Sequence, residues 1–328
     1  MPSTDLTLIP HPAGSDEDLR LALDDLQLDR WLSTKTLLTR TLSWAQRTSR
    51  SQVLAAAAAK GDAISAWLAE DPTDANALMM RARVLTVRVL SAYQRTADHH
   101  TLLPQLRAAH AACLEAARRW PADPVPGVCL LALAQVDLDP GRPLHRGNWA
   151  EPPEALLPRG PWPVLDQVNR RDHPNREAYQ RMLQCFQARG AGAVDFARWA
   201  SSLAKPGSVL LTLPLYAFVE EYRLRTVGGQ VAQTLHFWDN EQVRYYAARA
   251  RDGWFAHLVQ TSTFSQLDLN YLAYALTACG LPGAADVFEA IGPFATHAPW
   301  HLLSESRWWE DDFRQARHYA MKQRRPGR

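Results

Sequence analysis

Two stretches of the sequence place carboxylates, aromatic rings, arginine and histidine at spacings that could support chemistry. In the first, Tyr216, Glu220 and Arg223 recur at helical spacing beside an apolar stripe. A carboxylate flanked by aromatic rings can act as a general base. In the second, His236 and Asp239 lie where one predicted helix ends and the next begins. These five residues are the catalytic candidates if the chain is an enzyme. The alternative is that Glu220 pairs with Arg223 and only fixes the helix.

Known catalytic and metal-binding motifs give no further support to an enzyme. The sequence contains no GxSxG, HExxH, GxxxxGK[ST] or GxGxxG motif. His297 and His301, with Glu305 four residues further on, have the spacing of a metal site on one face of a helix. Pro299 lies between the two histidines and disrupts that geometry. We therefore predict no metal and no cofactor, and we favour a protein without catalytic activity.

Arginine and aromatic side chains concentrate near the ends of predicted helices, which is typical of protein interfaces. The residues predicted to contact a protein or peptide partner are Arg170, Arg171, Arg176, Trp149, Trp162, Arg244 and Tyr245. Ordinary packing is the alternative, with Trp149 and Trp162 as anchors of an ordered crossover. The adjacent Trp308 and Trp309 must point about 100° apart on a helix, so one of them faces outward or sideways. An exposed tryptophan there opens a further alternative, a homo-oligomer.

The composition limits the classes of partner and environment. Of 328 residues 47% are apolar, and 36 basic against 34 acidic residues leave a net charge of +2. This balance argues against nucleic acid as a partner, and the apolar content argues against general disorder. No uncharged apolar run approaches the ~18 residues that a membrane span needs, so we predict no membrane insertion. The four cysteines are widely separated, which favours reduced thiols and a cytoplasmic location.

Apolar periodicity predicts helices along almost the whole chain. The clearest runs from Asp74 to Tyr93, where Leu78, Ala82, Leu85 and Val89 step by three or four residues. Helices are also predicted at Thr101–Trp120, Pro124–Val136, Asn175–Arg189, Ala193–Ala204, Leu211–Arg225, Glu241–Arg251, Leu267–Cys279, Ala284–Ile291 and Leu302–Tyr319. The pattern indicates about sixteen helices and no run of strand-like alternation. The predicted fold class is all-α.

Two apolar stripes are predicted before residue 60. Ser15 opens the first segment, and the stripe that follows it consists of Leu19, Ala22, Leu23 and Leu26. Leu38, Leu42 and Ala45 form the second stripe. Residues 1–14 before them are polar and contain prolines, so we predict a disordered N-terminus without a signal peptide.

Proline divides the predicted helices into two groups. Residues 137–163 contain seven prolines, which prevent a regular helix apart from a turn around Glu154–Leu157. This loop is predicted to separate an N-terminal helical half, residues 15–136, from a C-terminal half, residues 164–320. Residues 321–328 are predicted to form a basic tail.

Three junctions between helices have a common pattern. They are Trp67-Leu-Ala-Glu-Asp-Pro-Thr-Asp74, Arg119-Trp-Pro-Ala-Asp123 and Asn169-Arg-Arg-Asp-His-Pro-Asn175, each followed by a helix with small residues on its face. Over residues 60–190 the chain therefore resembles tetratricopeptide-type (TPR) helical hairpins, although its junctions recur after 49 and 52 residues and those of that family after about 34. It also resembles uncharacterised helical proteins of actinobacteria.

The resemblance implies an α-solenoid or superhelix whose concave face binds a peptide or protein. The leading hypothesis is accordingly a non-catalytic, TPR-like binding scaffold. The alternative is a small-molecule-binding protein or enzyme of bacterial secondary metabolism, whose pocket would be enclosed by helices. An open groove would favour the first hypothesis and a closed aromatic cavity the second.

Overall fold

The protein is all-α, as the sequence predicts. A computed structural model describes residues 6–95, 99–137, 146–229, 234–257, 265–303 and 308–324. Sixteen α-helices lie in these ranges, which agrees with the predicted number. The described residues form no β-strand, and one isolated antiparallel bridge joins Ala150 to Gly160.

The chain divides into two compact units. The first runs Asp16–Phe196, and the second combines Met1–Ser15 with Ala197–Arg328. The sequence predicts a division at residues 137–163 instead. The helices Trp162–Asn169 and Arg176–Ala188 pack against the helix Val125–Leu133, and all three belong to the first unit.

The first unit contains nine of the described helices, each of which packs against at least one neighbour. They are α1 Glu17–Gln27, α2 Leu32–Arg40, α3 Trp44–Ala58, α4 Ala63–Glu70, α5 Ala75–Arg95, α6 Leu103–Arg119, α7 Val125–Leu133, α8 Trp162–Asn169 and α9 Arg176–Ala188. The long helix α5 contacts α3, α4, α6 and α7, while α7 also contacts α8 and α9. Helices α5 and α7 therefore connect most of the other helices of this unit.

The second unit is described by seven helices, the first of which contains the boundary between the units. They are α10 Ala193–Ser202, α11 Leu213–Val227, α12 Glu241–Gly253, α13 Gln266–Ala278, α14 Ala284–Ile291, α15 Trp300–Leu303 and α16 Trp309–Arg324. Helix α13 packs against α11, α12 and α14, and α16 packs against α14 and α15. The core around α13 is rich in aromatic rings, which include Tyr274, Phe288, Trp300 and Phe313.

Side-chain caps fix the starts of several helices. The Asp16 carboxylate accepts a hydrogen bond from the Leu19 amide at 3.0 Å, so α1 begins at Glu17, two residues after the predicted opening at Ser15. The Asn175 amide oxygen accepts from the Ala178 amide at 2.9 Å at the start of α9. Such caps satisfy amide groups that have no partner inside the helix.

One predicted stripe is confirmed and the other is wrong. Leu19, Ala22, Leu23 and Leu26 are all buried on α1. The stripe through Leu38, Leu42 and Ala45 does not exist, because Leu42 is 92% exposed. Helix α2 ends at Arg40, and α3 begins afresh after Ser43, whose hydroxyl caps it. The break between the helices changes which residues share a face.

The chain segments at the two ends of the sequence pack against other residues of the second unit, to which they belong. The Ile9 amide donates to the Pro293 carbonyl at 2.8 Å, and Ala13 is buried, although residues 1–14 were predicted to be disordered. At the other end, α16 continues to Arg324, whose guanidinium lies 2.7 Å from the Glu289 carboxylate. The first four residues of the predicted basic tail, 321–324, are therefore helical, and residues 325–328 lie outside the described residues.

Candidate functional site

Helix α3 carries three polar residues on the side that faces the core of the first unit. Arg47, Thr48 and Ser51 are all buried. Ionisable and polar groups are buried only when hydrogen bonds replace the water that they lose. Their partners come from the starts of α5, α7 and α9 and from the middle of α5. We call this set of side chains the α3 network.

Arg47 joins α3 to the starts of two other helices. Its Nε and Nη2 donate to one Asp123 carboxylate oxygen at 2.9 and 2.7 Å, and its Nη1 donates to the Asn76 side chain at 2.8 Å. The guanidinium also lies over the Trp120 ring, 4.6 Å from its centroid. Asp123 in turn accepts from the Val125 amide at 2.9 Å, which fixes the first turn of α7.

Arg83 forms the second centre of the α3 network. Its Nη1 and Nη2 each donate to a different oxygen of the Glu177 carboxylate, both at 2.7 Å. The same guanidinium donates to the Thr48 carbonyl at 3.0 Å and to the Ser51 hydroxyl at 3.3 Å. Arg181 adds a second guanidinium to Glu177, at 3.0 Å. Three helices, α3, α5 and α9, thus meet at one buried ion pair.

The charges around Glu177 keep it ionised. Burial by itself would raise the pKa of this carboxyl, but the guanidinium groups of Arg83 and Arg181 outweigh burial and hold the pKa below its usual value. The Glu177 carboxylate conversely raises the pKa of Arg83 against the opposing effect of burial. Both groups are therefore charged at neutral pH and neutralise each other.

The α3 network connects the three junctions that share a sequence pattern. Asn76 follows the first junction, Asp123 ends the second, and Asn175 ends the third. The Asn175 side chain donates to the Thr48 hydroxyl at 3.2 Å and to the Asp172 carboxylate at 2.7 Å. Arg47 pairs with Asp123, and Arg83 pairs with Glu177. The arrangement fixes the positions of the helices that carry these residues.

Three arginines predicted to contact a partner, Arg170, Arg171 and Arg176, form a basic cluster in the first unit. Arg170 is exposed, and the other two are partly buried. Arg171 donates to the backbone carbonyls of Pro121 and Gln167 at 2.6 and 2.7 Å, and so fastens the end of α8 to the second junction. Arg176 donates to the Gln180 side chain at 3.0 Å. Arg170 is 67% exposed and pairs with Asp166 at 3.1 Å. Of the three arginines, Arg170 is the most available to a partner.

The two tryptophans of the predicted partner surface are buried. The Trp162 indole donates to the Pro158 carbonyl at 3.0 Å, and its ring contacts Phe186 and Phe196. The Trp149 ring is covered by the Arg189 guanidinium, 4.6 Å from its centroid. In the described part of the proline-rich stretch, both rings therefore anchor a crossover, which is the alternative that the sequence left open. The turn predicted around Glu154–Leu157 is present, since the Leu157 amide donates to the Glu154 carbonyl at 3.1 Å.

The five catalytic candidates are divided among three pairs in the second unit, one of which is completed by Asp268. Arg223 donates twice to Glu220, at 2.8 and 2.6 Å, so the carboxylate is neutralised as the alternative interpretation expects. The buried Tyr216 hydroxyl donates to Asp268 at 2.5 Å. His236 lies 3.5 Å from Asp239, and both side chains are exposed.

Asp268 and Asn270 are buried polar residues that were not predicted as site residues from the sequence. Both are buried on α13. The Asn270 side-chain oxygen accepts from the Trp300 indole at 2.9 Å and from the Thr296 amide at 3.3 Å. One sequence signal could have identified Asp268 and Asn270: they are polar residues on a helix otherwise lined by leucine, alanine and tyrosine. Their hydrogen bonds fix the aromatic core of the second unit.

The predicted contact residues on α12 differ in exposure. Arg244 donates to the Cys279 carbonyl and is committed to the end of α13. Tyr245 is 57% exposed and lines an open depression together with Asn240, Glu241, Gln242 and Tyr246. Asn240 caps this helix by accepting from the Gln242 amide at 2.8 Å, so Asp239 is free of the capping role that its position suggests. Only Tyr245 of the pair is presented to solvent.

The structure shows how two residue pairs near the C-terminal end are placed, His297 with His301 and Trp308 with Trp309. The rings of His297 and His301 lie 3.9 Å apart although Pro299 separates them in the chain. Within the described ranges no group of three or more His, Cys, Asp or Glu side chains could hold a metal ion, and Glu305 lies outside those ranges. Trp308 is 65% exposed and Trp309 is buried, so Trp308 is the residue that faces outward.

An open groove of about 360 Å³ runs between α4 and α5. The apolar residues Ile64, Leu68, Val84 and Leu85 line it, together with Gly61, Ala69 and three polar residues, Ser65, Arg81 and Arg88. Arg81 pairs with Glu115 at 3.2 Å where both side chains are nearly half exposed. Arg88 donates to the carbonyls of Ala59 and Gly61 at the end of α3 and the turn that follows.

Comparisons with known proteins do not assign this chain to a family. No family model, no curated protein and no solved structure matches it. The search for membrane-spanning segments found no described helix that combines the length and the apolar character needed to cross a bilayer. The function must therefore be argued from the geometry of the chain itself.

Proposed function

We propose that this protein is a non-catalytic scaffold of TPR-like helical hairpins that binds a protein or peptide partner. The repeated junctions support it, because the α3 network ties all three of them to one helix. A buried network of this kind holds hairpins in a fixed register, which a binding surface requires. The separate pairing of Glu220, His236 and Tyr216 gives the alternative, an enzyme with an enclosed pocket, no comparable support.

The open groove between α4 and α5 carries this proposal. Its apolar floor can accept aliphatic side chains, as in grooves that accept an amphipathic helix or an extended peptide. Arg81 at its rim is engaged only in an exposed ion pair with Glu115, which is worth about 0–1 kcal/mol. That arginine can exchange Glu115 for a carboxylate of the partner at little cost. The expected partner segment is therefore apolar on one side and acidic at its edge.

Peptide selection against the full chain tests the proposal. Peptides displayed on phage are selected on the immobilised protein, synthesised, and titrated by fluorescence anisotropy. We expect the selected sequences to combine aliphatic residues with Asp or Glu. We also expect Arg81→Glu to weaken their binding at least about tenfold, since one charge-assisted contact becomes repulsive.

A matched pair of substitutions on α4 locates the binding site. Ser65 lines the groove, whereas the adjacent Ala66, which is also exposed, does not. Ser65→Trp should fill the groove and abolish binding, and Ala66→Trp should leave it unchanged. Failure to select any peptide, or equal binding by both variants, would contradict the proposal.

A further inference from the structure

The outward face of α1 carries two exposed leucines in line with two acidic residues. Leu21 is 65% exposed, and Leu28, which caps the C-terminal end of the helix, is 63% exposed. Glu17 and Asp24 are exposed as well. Steps of four, three and four residues place the four side chains within about 60° of one another, with the acids along one edge and the leucines along the other. We call these four residues the α1 stripe.

Packing within the first unit leaves the α1 stripe uncovered. A helix at the surface of a globular unit normally turns polar residues to solvent, so leucines aligned on that side indicate a contact. The opposite face of α1 packs against α2 and α3. Its buried residues are Leu19, Ala22, Leu23 and Leu26. Because these residues hold α1 in place, the surface that covers the α1 stripe must come from another molecule.

The groove between α4 and α5 has the chemistry that fits the α1 stripe. Its floor is apolar, and the described residues that line it include Arg81 and Arg88 but no Asp or Glu. Arg81 is held by the exposed ion pair with Glu115. Arg88 donates to two backbone carbonyls, which hold its guanidinium in place without neutralising it. Both arginines can therefore attract carboxylates of a helix that lies in the groove.

The spacing of the charges matches between the two surfaces. Arg81 and Arg88 are seven residues apart on α5, and so are Glu17 and Asp24 on α1. Seven residues of α-helix span about 10.5 Å. A helix laid along α5 can therefore bring both acids to both arginines while its leucines, also seven residues apart, rest on the apolar floor. Side chains at such spacing are the usual anchors of an amphipathic helix in a groove.

The α1 stripe and the groove adjoin each other in the fold. Asp29, which follows the stripe directly, accepts a hydrogen bond from the Asp62 amide at 3.0 Å. Its carboxylate lies so close to Gly61, a residue that lines the groove, that a Cβ at Gly61 would be 2.1 Å from Asp29 Oδ1. When two complementary surfaces are neighbours on one molecule, a two-fold axis lets each copy satisfy the other at both surfaces at once.

We propose that two copies of this chain form a two-fold dimer in which the α1 stripe of each copy occupies the groove between α4 and α5 of the other. The inference rests on the proposed function, because it assigns a second copy of the chain to the same binding groove. A peptide partner and the second copy then compete for one site. Dimerisation would thereby regulate access to the groove.

Sedimentation velocity of the full chain over a range of concentrations tests for the dimer. We expect a shift from monomer to dimer with rising concentration, and a weaker association at high salt, which screens the charge pairs. Leu21→Arg should raise the dissociation constant at least about tenfold, because the symmetry places the change in both contacts. Leu203→Arg, at a similarly exposed leucine of the second unit, should leave it unchanged. A chain that is monomeric at every concentration, or equal effects of the two substitutions, would overturn the inference.

A mixture of two variants tests whether the stripe meets the groove. Leu21→Arg spoils the α1 stripe and Ser65→Trp fills the groove, so neither variant should dimerise alone. The mixture still contains one intact stripe and one intact groove on different molecules. Native mass spectrometry should therefore detect a heterodimer of the two variant masses. Its absence would contradict the assignment, as would normal dimerisation of Ser65→Trp, which would mean that another surface covers the stripe.

Peptide binding distinguishes a failure of this inference from a failure of the proposed function. Leu21→Arg leaves the groove intact and removes its competitor, so it should bind a selected peptide at least as tightly as the parent chain does. If the peptide binds at the groove but the parent chain stays monomeric, the dimer is wrong and the proposed function stands. If neither the peptide nor a second copy binds there, both proposals are wrong.

Discussion

The guanidinium of Arg83 and the carboxylate of Glu177 form a two-point ion pair, although 94 residues separate them in the chain. Both side chains are at least 96% buried, as their exposed fractions of 4% and 3% show. Removing two such ions from water costs several kcal/mol each, and their mutual attraction repays this cost only when the remaining hydrogen bonds are also formed. Thr48 and Ser51 supply those bonds. The pair therefore holds α3, α5 and α9 together as long as it stays intact.

Replacing Glu177 with leucine should strongly destabilise the protein. The substitution leaves Arg83 charged and buried beside an apolar side chain, and breaking a buried pair in this way costs about 3–5 kcal/mol. Urea denaturation followed by circular dichroism measures the change in the free energy of unfolding. Glu115→Leu is the matched control, because Glu115 pairs with Arg81 where both are nearly half exposed. That control should lose at most about 1 kcal/mol.

Replacing both Arg83 and Glu177 tests whether an unpaired buried charge causes the destabilisation expected for Glu177→Leu. The double variant Arg83→Met with Glu177→Leu should be more stable than Glu177→Leu alone, because no isolated ion remains in the core. A double variant no more stable than the single one would show that the lost hydrogen bonds to Thr48 and Ser51 dominate instead.

The Glu177 carboxylate should make the free energy of unfolding depend on pH in the acid range. Burial opposes the ionised form of Glu177, yet Arg83 and Arg181 hold its folded-state pKa below the unfolded value of 4.5. A lowered folded pKa means that the stabilisation is complete above about pH 4.5 and is lost as the pH falls through the folded value. Unfolding free energies measured from pH 7 to pH 3 should fall less steeply for Glu177→Leu than for the parent. Asp74 and Asp252, whose pKa values are also lowered, keep a residual slope in both proteins.

The sequence predicted the helices well because their main determinants are local. The apolar stripe of α1 and the Asn175 cap of α9 depend on residues within one or two turns, and both are present. The buried Arg47 and Arg83 were not predicted. A charged residue at a core position is stable only with a partner, and the partners Asp123 and Glu177 lie 76 and 94 residues away. Nothing in the local pattern identifies them.

The candidate contact residues also show which features depend on local sequence and which depend on tertiary contacts. Their types were identified from the sequence, but exposure depends on tertiary contacts. Arg171 and Arg244 are engaged with backbone carbonyls, whereas Arg170 and Tyr245 are exposed. The groove between α4 and α5 was not predicted, because a groove is defined by how two helices pack and not by either helix alone.

The crossover should depend on its buried tryptophan. Trp162→Ala removes a ring that contacts Phe186 and Phe196 and leaves a cavity, which should cost about 3–5 kcal/mol. Leu156→Ala in the same stretch is the control, since Leu156 is 90% exposed and should contribute less than about 0.5 kcal/mol. Thermal and urea denaturation measure both variants. Equal effects would mean that the stretch does not anchor on Trp162.

Two adjacent arginines at the end of α8 allow interface and structure to be distinguished. Arg171→Ala removes hydrogen bonds to the Pro121 and Gln167 carbonyls and should lower the free energy of unfolding by about 0.5–1.5 kcal/mol. Arg170→Ala removes only an exposed pair with Asp166, so stability should change by less than about 0.5 kcal/mol. If the basic cluster belongs to the partner surface, Arg170→Ala weakens binding of a selected peptide without any change in the melting temperature. The opposite result is weaker binding by the less stable Arg171→Ala variant and normal binding by Arg170→Ala. That result would exclude the basic cluster from the interface and leave the groove between α4 and α5 as the binding site.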